Sequence, residues 1–321
     1  MSIVEFMVGI TIGLIIVMAL ATLFGANSFS FGETEKSSRQ IENGRYATEL
    51  LTEDLRHAGF YGATSSLGSV PATPPDPCST TLATLVTALP IAVYGIDAPD
   101  AAPSCLPDYV SGTDVLVVRR ASTADITAAS AVPSGYYTQV SNCPTESTVI
   151  LLAQSGFTRH LKDCTTTANV RQFFTHIYFI SPCTTGTGTG GACRAGDRQV
   201  PTLKRLELGP GGFTVTPLVE GIENIQFEYG LDADANGSPD SFSAKPASTG
   251  AAWTTVVAVR MNILSRNIES TGGYLDTKTY LLGKKADGSP NTVSPGGPYK
   301  RHVYTATARV TNISQRTEPS I

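Results

Sequence analysis

The sequence predicts an α+β protein in which a long N-terminal helix packs on an antiparallel β-sheet carrying disulfide-bonded loop elaborations. Three observations lead there. The chain opens on an uncharged apolar run that passes directly into an amphipathic helical pattern. Its later part carries short β-branched and aromatic segments bounded by Gly, Pro, Ser and Thr. All six cysteines lie in polar, loop-like sequence beyond the apolar run.

The helix divides into two expected parts, residues 1–25 apolar and 26–62 amphipathic, followed by a β-rich head over 63–321. From Phe6 to Phe24 no side chain is charged. As a helix that run extends about 28 Å, enough to cross a bilayer core. It begins MSIVE, without the basic start of a signal peptide, and is expected to stay attached as an anchor. Glu5 is the informative residue. A carboxylate at the rim of an apolar helix costs several kcal/mol to bury unless a cation offsets it. The nearest cation is the α-amino group of Met1, held about a turn away on its own helix. When like helices stack with an axial stagger, the amine of one copy meets Glu5 of another, and the charge sets assembly register. The plainer reading is a membrane anchor with an interfacial glutamate. Gly9 and Gly13 form a GxxxG face for close helix approach, a weak signal alone.

Past Gly25, Ile41, Ala47, Leu51 and Leu55 recur at helical spacing, with Glu33, Lys36, Arg39, Glu42, Arg45, Glu49 and Glu53 on the other faces. That face is expected to lie on the head, with Gly59 and Gly62 as stop signals. Strands are expected in TDVLVVRRA, STVILLAQ, RQFFTHIYFIS, PTLKRLEL, FTVTPLVEGIENIQFEYGL, WTTVVAVRMNILSRN and RHVYTATARVTN. Residues 63–112, 183–198, 236–252 and 284–299 read as loops.

None of the cysteines forms a CxxC pair and the four histidines lack zinc-site spacing, so disulfides in an oxidising compartment are expected. Short loops cost least entropy to close, which favours Cys78 with Cys105, Cys143 with Cys164, and Cys183 with Cys193. The net charge of -4 is spread along the chain, and nucleic acid is not an expected partner.

The segments MSIVEFMVGITIGLIIVMAL and QIENGRYATELLTEDLRHAGFYG resemble the N-terminus and helix continuation of PilW-type minor pilins. The order LVEGIENIQFEYGLDADANGSPD, WTTVVAVRMNILSR, TATARVTN resembles the same family. The likeness covers both ends of the chain and leaves residues 63–200 largely unmatched. It implies a type IV pilin fold, a prepilin peptidase that cuts before Met1 and methylates it, and no catalysis. It also implies storage in the inner membrane, then assembly by pilus machinery with other pilin subunits into an extracellular filament. Many pilins carry a proline near the position of Thr22, and this chain does not. The expected role is a minor pilin that primes assembly. The alternatives are the main repeating subunit of such a filament, a type II secretion pseudopilin, and a membrane-anchored periplasmic binding module.

Asp232, Asp234, Asn236 and Asp240 in DADANGSPD match the start of a calcium loop, with Gly237 at its turn. Ser243 stands where an EF-hand places its bidentate glutamate, so the expected affinity is weak, roughly 10⁻⁴ to 10⁻³ M. The alternative is an acidic turn held by Asx-type hydrogen bonds. There is no GxSxG, P-loop, dinucleotide fingerprint or HExxH, and no enzymatic activity is expected. His57 and His176 read as satisfied surface or sheet residues. The pairs Arg119–Arg120 and Lys204–Arg205 read as solvated faces or subunit contacts. Trp253, Phe173, Phe174, Tyr178 and Phe179 read as core and sheet surface.

Overall fold

A computed structural model describes residues 2–64, 66–98 and 100–317. Helix α1 runs unbroken from Ile3 to His57. No proline interrupts this stretch. Ser2 caps its start, and a capping box forms with Glu5. The chain leaves the helix at Ala58, and the Asn312 side chain donates to the carbonyls of Arg56 and Ala58 at 3.3 and 3.1 Å, satisfying groups the helix end leaves open. The helix therefore stops at His57, before the expected limit at residue 62.

The head follows in the order α2 (Leu82–Ala88), β1 (Val93–Ile96), β2 (Val115–Ala121), β3 (Tyr137–Val140), β4 (Ile150–Ala153) and β5 (Val170–Ser181). Next come β6 (Thr202–Gly209), β7 (Gly212–Glu220), β8 (Ile222–Leu231), β9 (Ser241–Ser243), α3 (Gly250–Thr254) and β10 (Val256–Arg266). The chain closes with β11 (Tyr280–Lys284), β12 (Pro290–Val293), β13 (Arg301–Arg309) and α4 (Thr311–Thr317). All named pairings are antiparallel, but they form two main sheets, not one. A seven-stranded sheet is built on β5, whose residues 170–172 pair β3 and 176–181 pair β6, with β7 beyond. A four-stranded sheet has the order β13-β10-β8-β9, and β11 with β12 forms a separate hairpin.

Several local expectations are corrected. The segment 213–231 is two strands, because Gly221 turns the chain between them at φ 78, and a Cβ there would come 2.7 Å from the Arg266 carbonyl. The stretches read as loops hold α2, β1, β9, α3 and β12, elements too short or too Gly- and Pro-rich to show a period. Strand β3 was not anticipated at all.

Ala47, Leu51 and Leu55 of α1, with Ala58 just after it, are fully buried and share one core with Leu116 and Ile180 of the larger sheet and Phe227, Met261 and Ile263 of the smaller. The helix thus joins both sheets. Each fully buried Leu in such a core contributes about 1.5–3 kcal/mol. Ile41, expected on this face, is 49% exposed. Gln40 and Gly44 take the buried stripe there. An added Cβ at Gly44 would fall 2.1 Å from the Tyr304 ring, so glycine lets that ring lie against the helix.

Candidate functional site

The two ends of α1 meet different surroundings. From Ile3 to Phe31 every large apolar side chain is exposed, and no part of the most apolar stretch is buried. By length and composition this helix can cross a membrane. At its tip, Glu5 Oε2 accepts the Ser2 N–H at 2.9 Å, while Ser2 Oγ accepts the Val4 N–H at 3.3 Å. The carboxylate therefore serves its own helix start, where the helix dipole also favours negative charge. A carboxylate has about four lone-pair sites, so this bond leaves acceptor capacity for a cation. Met1 lies outside the described residues. At Gly9 and Gly13 an added Cβ would meet nothing within 4 Å, so no contact among the described residues requires glycine there.

Hydrogen bonding of α1 to the head starts, among the described residues, at Glu33. Lys300 and Lys36 donate to Glu33 at 2.8 and 3.0 Å, and the Thr271 hydroxyl donates at 2.8 Å. These bonds hold its carboxyl down to about 2. Further along, Gln40 donates to the carbonyls of Ser265 and Lys300 at 2.9 and 3.1 Å, and Asn43 to that of Glu220 at 3.0 Å.

Asp54 anchors the far end. Its Oδ1 accepts from Arg120 Nε at 2.6 Å, and its Oδ2 accepts from His176 Nδ1 and the Tyr178 hydroxyl, each at 2.8 Å. His176 Nε2 stands 3.5 Å from Glu207, which pairs with Arg205 at 2.7 Å. Burial alone would raise Asp54, but the bond and charge of His176 and the charge of Arg120 outweigh it and hold the carboxyl well below its usual range. Burial alone would lower His176, but its bonds to Asp54 and Glu207 raise it. The imidazole is a clamp between helix and sheet. Reading the sequence missed this cluster. The available signal was an acid beside the Leu51–Leu55 stripe and a histidine amid the apolar residues of β5.

The charged pairs on strands are also corrected. Arg119 and Lys204 are each 1% exposed, so neither lies on a solvated face. Arg119 donates to the Ile91 carbonyl at 3.0 Å. Trp253, Phe173, Tyr178 and Phe179 are buried, and His57 Nδ1 donates to the Glu53 carbonyl at 2.9 Å.

In the loop after β8, carboxylate oxygens of Asp232, Asp234 and Asp240 lie within 4.8 Å of one another. Asp232 accepts the N–H groups of Asn236 and Gly237, Asp234 also accepts the Asn236 N–H, and Asp240 accepts that of Ala233. These Asx-type bonds converge the carboxylates by themselves. The six cysteines form Cys78–Cys105, Cys143–Cys164 and Cys183–Cys193, each joined to its neighbour in sequence. A cavity of about 250 Å³ lies between Tyr61, Thr138, Asn142, Asn169 and Arg171. Its polar groups largely satisfy one another, as Asn169 donates to Asp125 and Arg171 to the Ser122 carbonyl.

One known family matches the second half of the head. The family described as type IV pilus-assembly protein W matches residues 177–312. The match supports a type IV pilus-related family. It begins within β5 and ends in α4, taking in both strands that carry α1 most closely, β10 and β13. Residues 1–176, with Glu5 and the apolar half of α1, lie outside it. No curated protein and no solved structure matched the chain. The type IV pilus-assembly match supports involvement in pilus assembly and contact with pilus components.

Proposed function

We propose that the chain is a structural subunit of a type IV pilus, a PilW-like minor pilin with the pilin fold that helps prime filament assembly. One observation carries this reading: a single helix has an exposed apolar half tipped by one carboxylate and a second half seated on a disulfide-bonded β head. The pilus-assembly match over the head supports it independently. Before assembly, residues 6–24 lie in the inner membrane and the head lies outside it. Extraction by pilus machinery moves the apolar half from lipid into a bundle of like helices, and the filament reaches the cell surface. Burial by many neighbours supplies on the order of tens of kcal/mol before ordering costs. Glu5 then accepts the N-terminal amine of an adjoining subunit. The work is assembly and not turnover.

The deciding experiment is incorporation of Glu5→Ala into sheared surface filaments, measured by peptide identification against wild type. Loss of incorporation with normal membrane insertion supports the reading. Normal incorporation defeats the role given to Glu5, and absence of the wild-type chain from the filaments leaves the membrane-anchored module. The amount of wild-type chain in the same filaments separates a minor from a main subunit.

Calcium is proposed as a weak ligand of the loop at Asp232, Asp234, Asn236 and Asp240, on the convergence of three carboxylates.

A further inference from the structure

The three disulfides differ in what surrounds their sulfurs. The Thr145 hydroxyl stands 3.0 Å from Cys143 Sγ and 3.8 Å from Cys164 Sγ. Cys78 Sγ accepts the Cys105 N–H at 3.2 Å. Among the described residues, no charged side chain is hydrogen-bonded to the sulfurs of either bridge.

Cys183–Cys193 is built differently. Lys204 on β6 is buried, and its Nζ lies 3.9 Å from Cys183 Sγ. The carboxylates of Asp108 and Asp197 act on this ammonium only from a distance, while burial lowers its pKa. A buried ammonium beside a neutral sulfur is under-compensated, which is costly. At the other end, the Asp108 carboxylate accepts the Cys193 N–H, and the Ser181 hydroxyl lies 3.3 Å from Cys193 Sγ. Cys183 is fully buried and Cys193 is half-buried. The bond therefore has a cation at its hidden sulfur and an anion beside its accessible one.

We propose that Cys183–Cys193 is a thiol–disulfide exchange site, with Cys193 the attacked sulfur, Cys183 the leaving group, and a dithiol oxidoreductase the partner. The partner's thiolate attacks Cys193 Sγ, forming a mixed disulfide. The bond to Cys183 breaks, and its electron pair stays on Cys183 as a thiolate beside the Lys204 ammonium. The partner's second thiolate then attacks its own sulfur in the mixed disulfide. Cys193 leaves and takes a proton from water. The partner's dithiol is oxidised to a disulfide as the protein's cystine is reduced to two thiols, and the reverse sequence installs the bond. Lys204 supplies the driving asymmetry, because a cation lowers the pKa of the leaving thiol and a lower pKa leaves faster. Reduction also places a negative charge directly beside the buried ammonium. The inference does not depend on whether the chain polymerises.

The test uses the folded full chain with excess reduced glutathione, rapid alkylation and peptide mapping. The expected result is glutathione on Cys193 and the alkyl group on Cys183. Lys204→Met is expected to slow opening of this bridge about tenfold while Cys78–Cys105 and Cys143–Cys164 open at their wild-type rates. Lys204→Arg, which keeps the charge, is expected to restore most of the rate. Glutathione on Cys183, or a Lys204→Met rate equal to wild type, overturns the proposal. If Lys204→Met does not fold, the position of the adduct on the wild-type chain decides alone.

Discussion

Phe24 and Phe31 in the first half of α1 are 78% and 74% exposed, whereas Leu51 and Leu55 of the same continuous helix are fully buried. Backbone hydrogen bonding is the same in both halves, so the difference lies in what each half has for solvent. The second half is packed by β10, β13 and β7, and its polar residues Glu33, Gln40, Asn43 and Asp54 bond to the head. The first half has no partner among the described residues. An apolar surface of this extent on a soluble protein marks a membrane or an assembly interface. A helix can thus be specified locally over its whole length while its two halves answer to different surroundings.

Substitutions that act on one half and spare the other break or sharpen this comparison. The largest expected effect is that of Glu5→Ala, which abolishes filament incorporation but leaves the melting temperature of the head unchanged. Thermal scans of the purified chain beside filament counts check both parts. Asp54→Ala leaves His176 and Arg120 without their shared carboxylate, and denaturant unfolding should show a loss of about 3–5 kcal/mol. Membrane insertion of the apolar half should not change.

A matched pair on the helix itself comes next. Leu51→Ala should cost the head about 2–5 kcal/mol. Leu14→Ala, in the exposed half, should stay within about 0.5 kcal/mol of wild type in the same unfolding measurement.

The pH profile is a finer probe of the packed half. His176 binds its proton more tightly in the fold than its ordinary value of 6.5, so its contribution is whole below that pH and is lost as pH rises through the folded value. Asp114, pushed up to about 7 by burial, adds a loss in the same direction between its ordinary 3.8 and about 7, where the unfolded chain is ionised and the folded carboxyl is not. Asp54 is held below its ordinary 3.8, and its contribution fades as pH falls below that. Stability should therefore peak at about pH 4 to 5. His176→Gln should make the fall above pH 6.5 shallower, as followed by melting temperature. The smallest effect concerns calcium. Millimolar metal should raise the melting point of wild type slightly and leave that of Asp240→Asn unmoved, while no rise in wild type leaves the loop an Asx-bonded turn.

Much of this was legible in the residues. The apolar run, the absence of proline and the Ala47–Leu51–Leu55 spacing specify α1, because a helix is written in contacts three and four residues apart. The β-branched and aromatic residues around Ile225, Phe227 and Tyr229 likewise mark strand, though not the turn at Gly221 that divides β7 from β8, and the neighbouring cysteines pair because short loops close most cheaply. Ile41 satisfied the same spacing and yet faces outward, while Gly44 lies against the Tyr304 ring and Gln40 bonds the carbonyls of Ser265 and Lys300. No window along the chain contains that information.

By itself, then, the sequence determined that a long helix exists, that its first half is apolar with one acid at the tip, and that a β-rich, cysteine-bridged head follows. Only the tertiary structure decided that Glu33 bonds Lys300, that Asp54 meets His176 from 122 positions away, and that Lys204 lies against Cys183. Periodicity reports which residues share a face. Strand register and sheet stacking decide which distant side chain that face meets, and the energy of a buried charge depends on the answer.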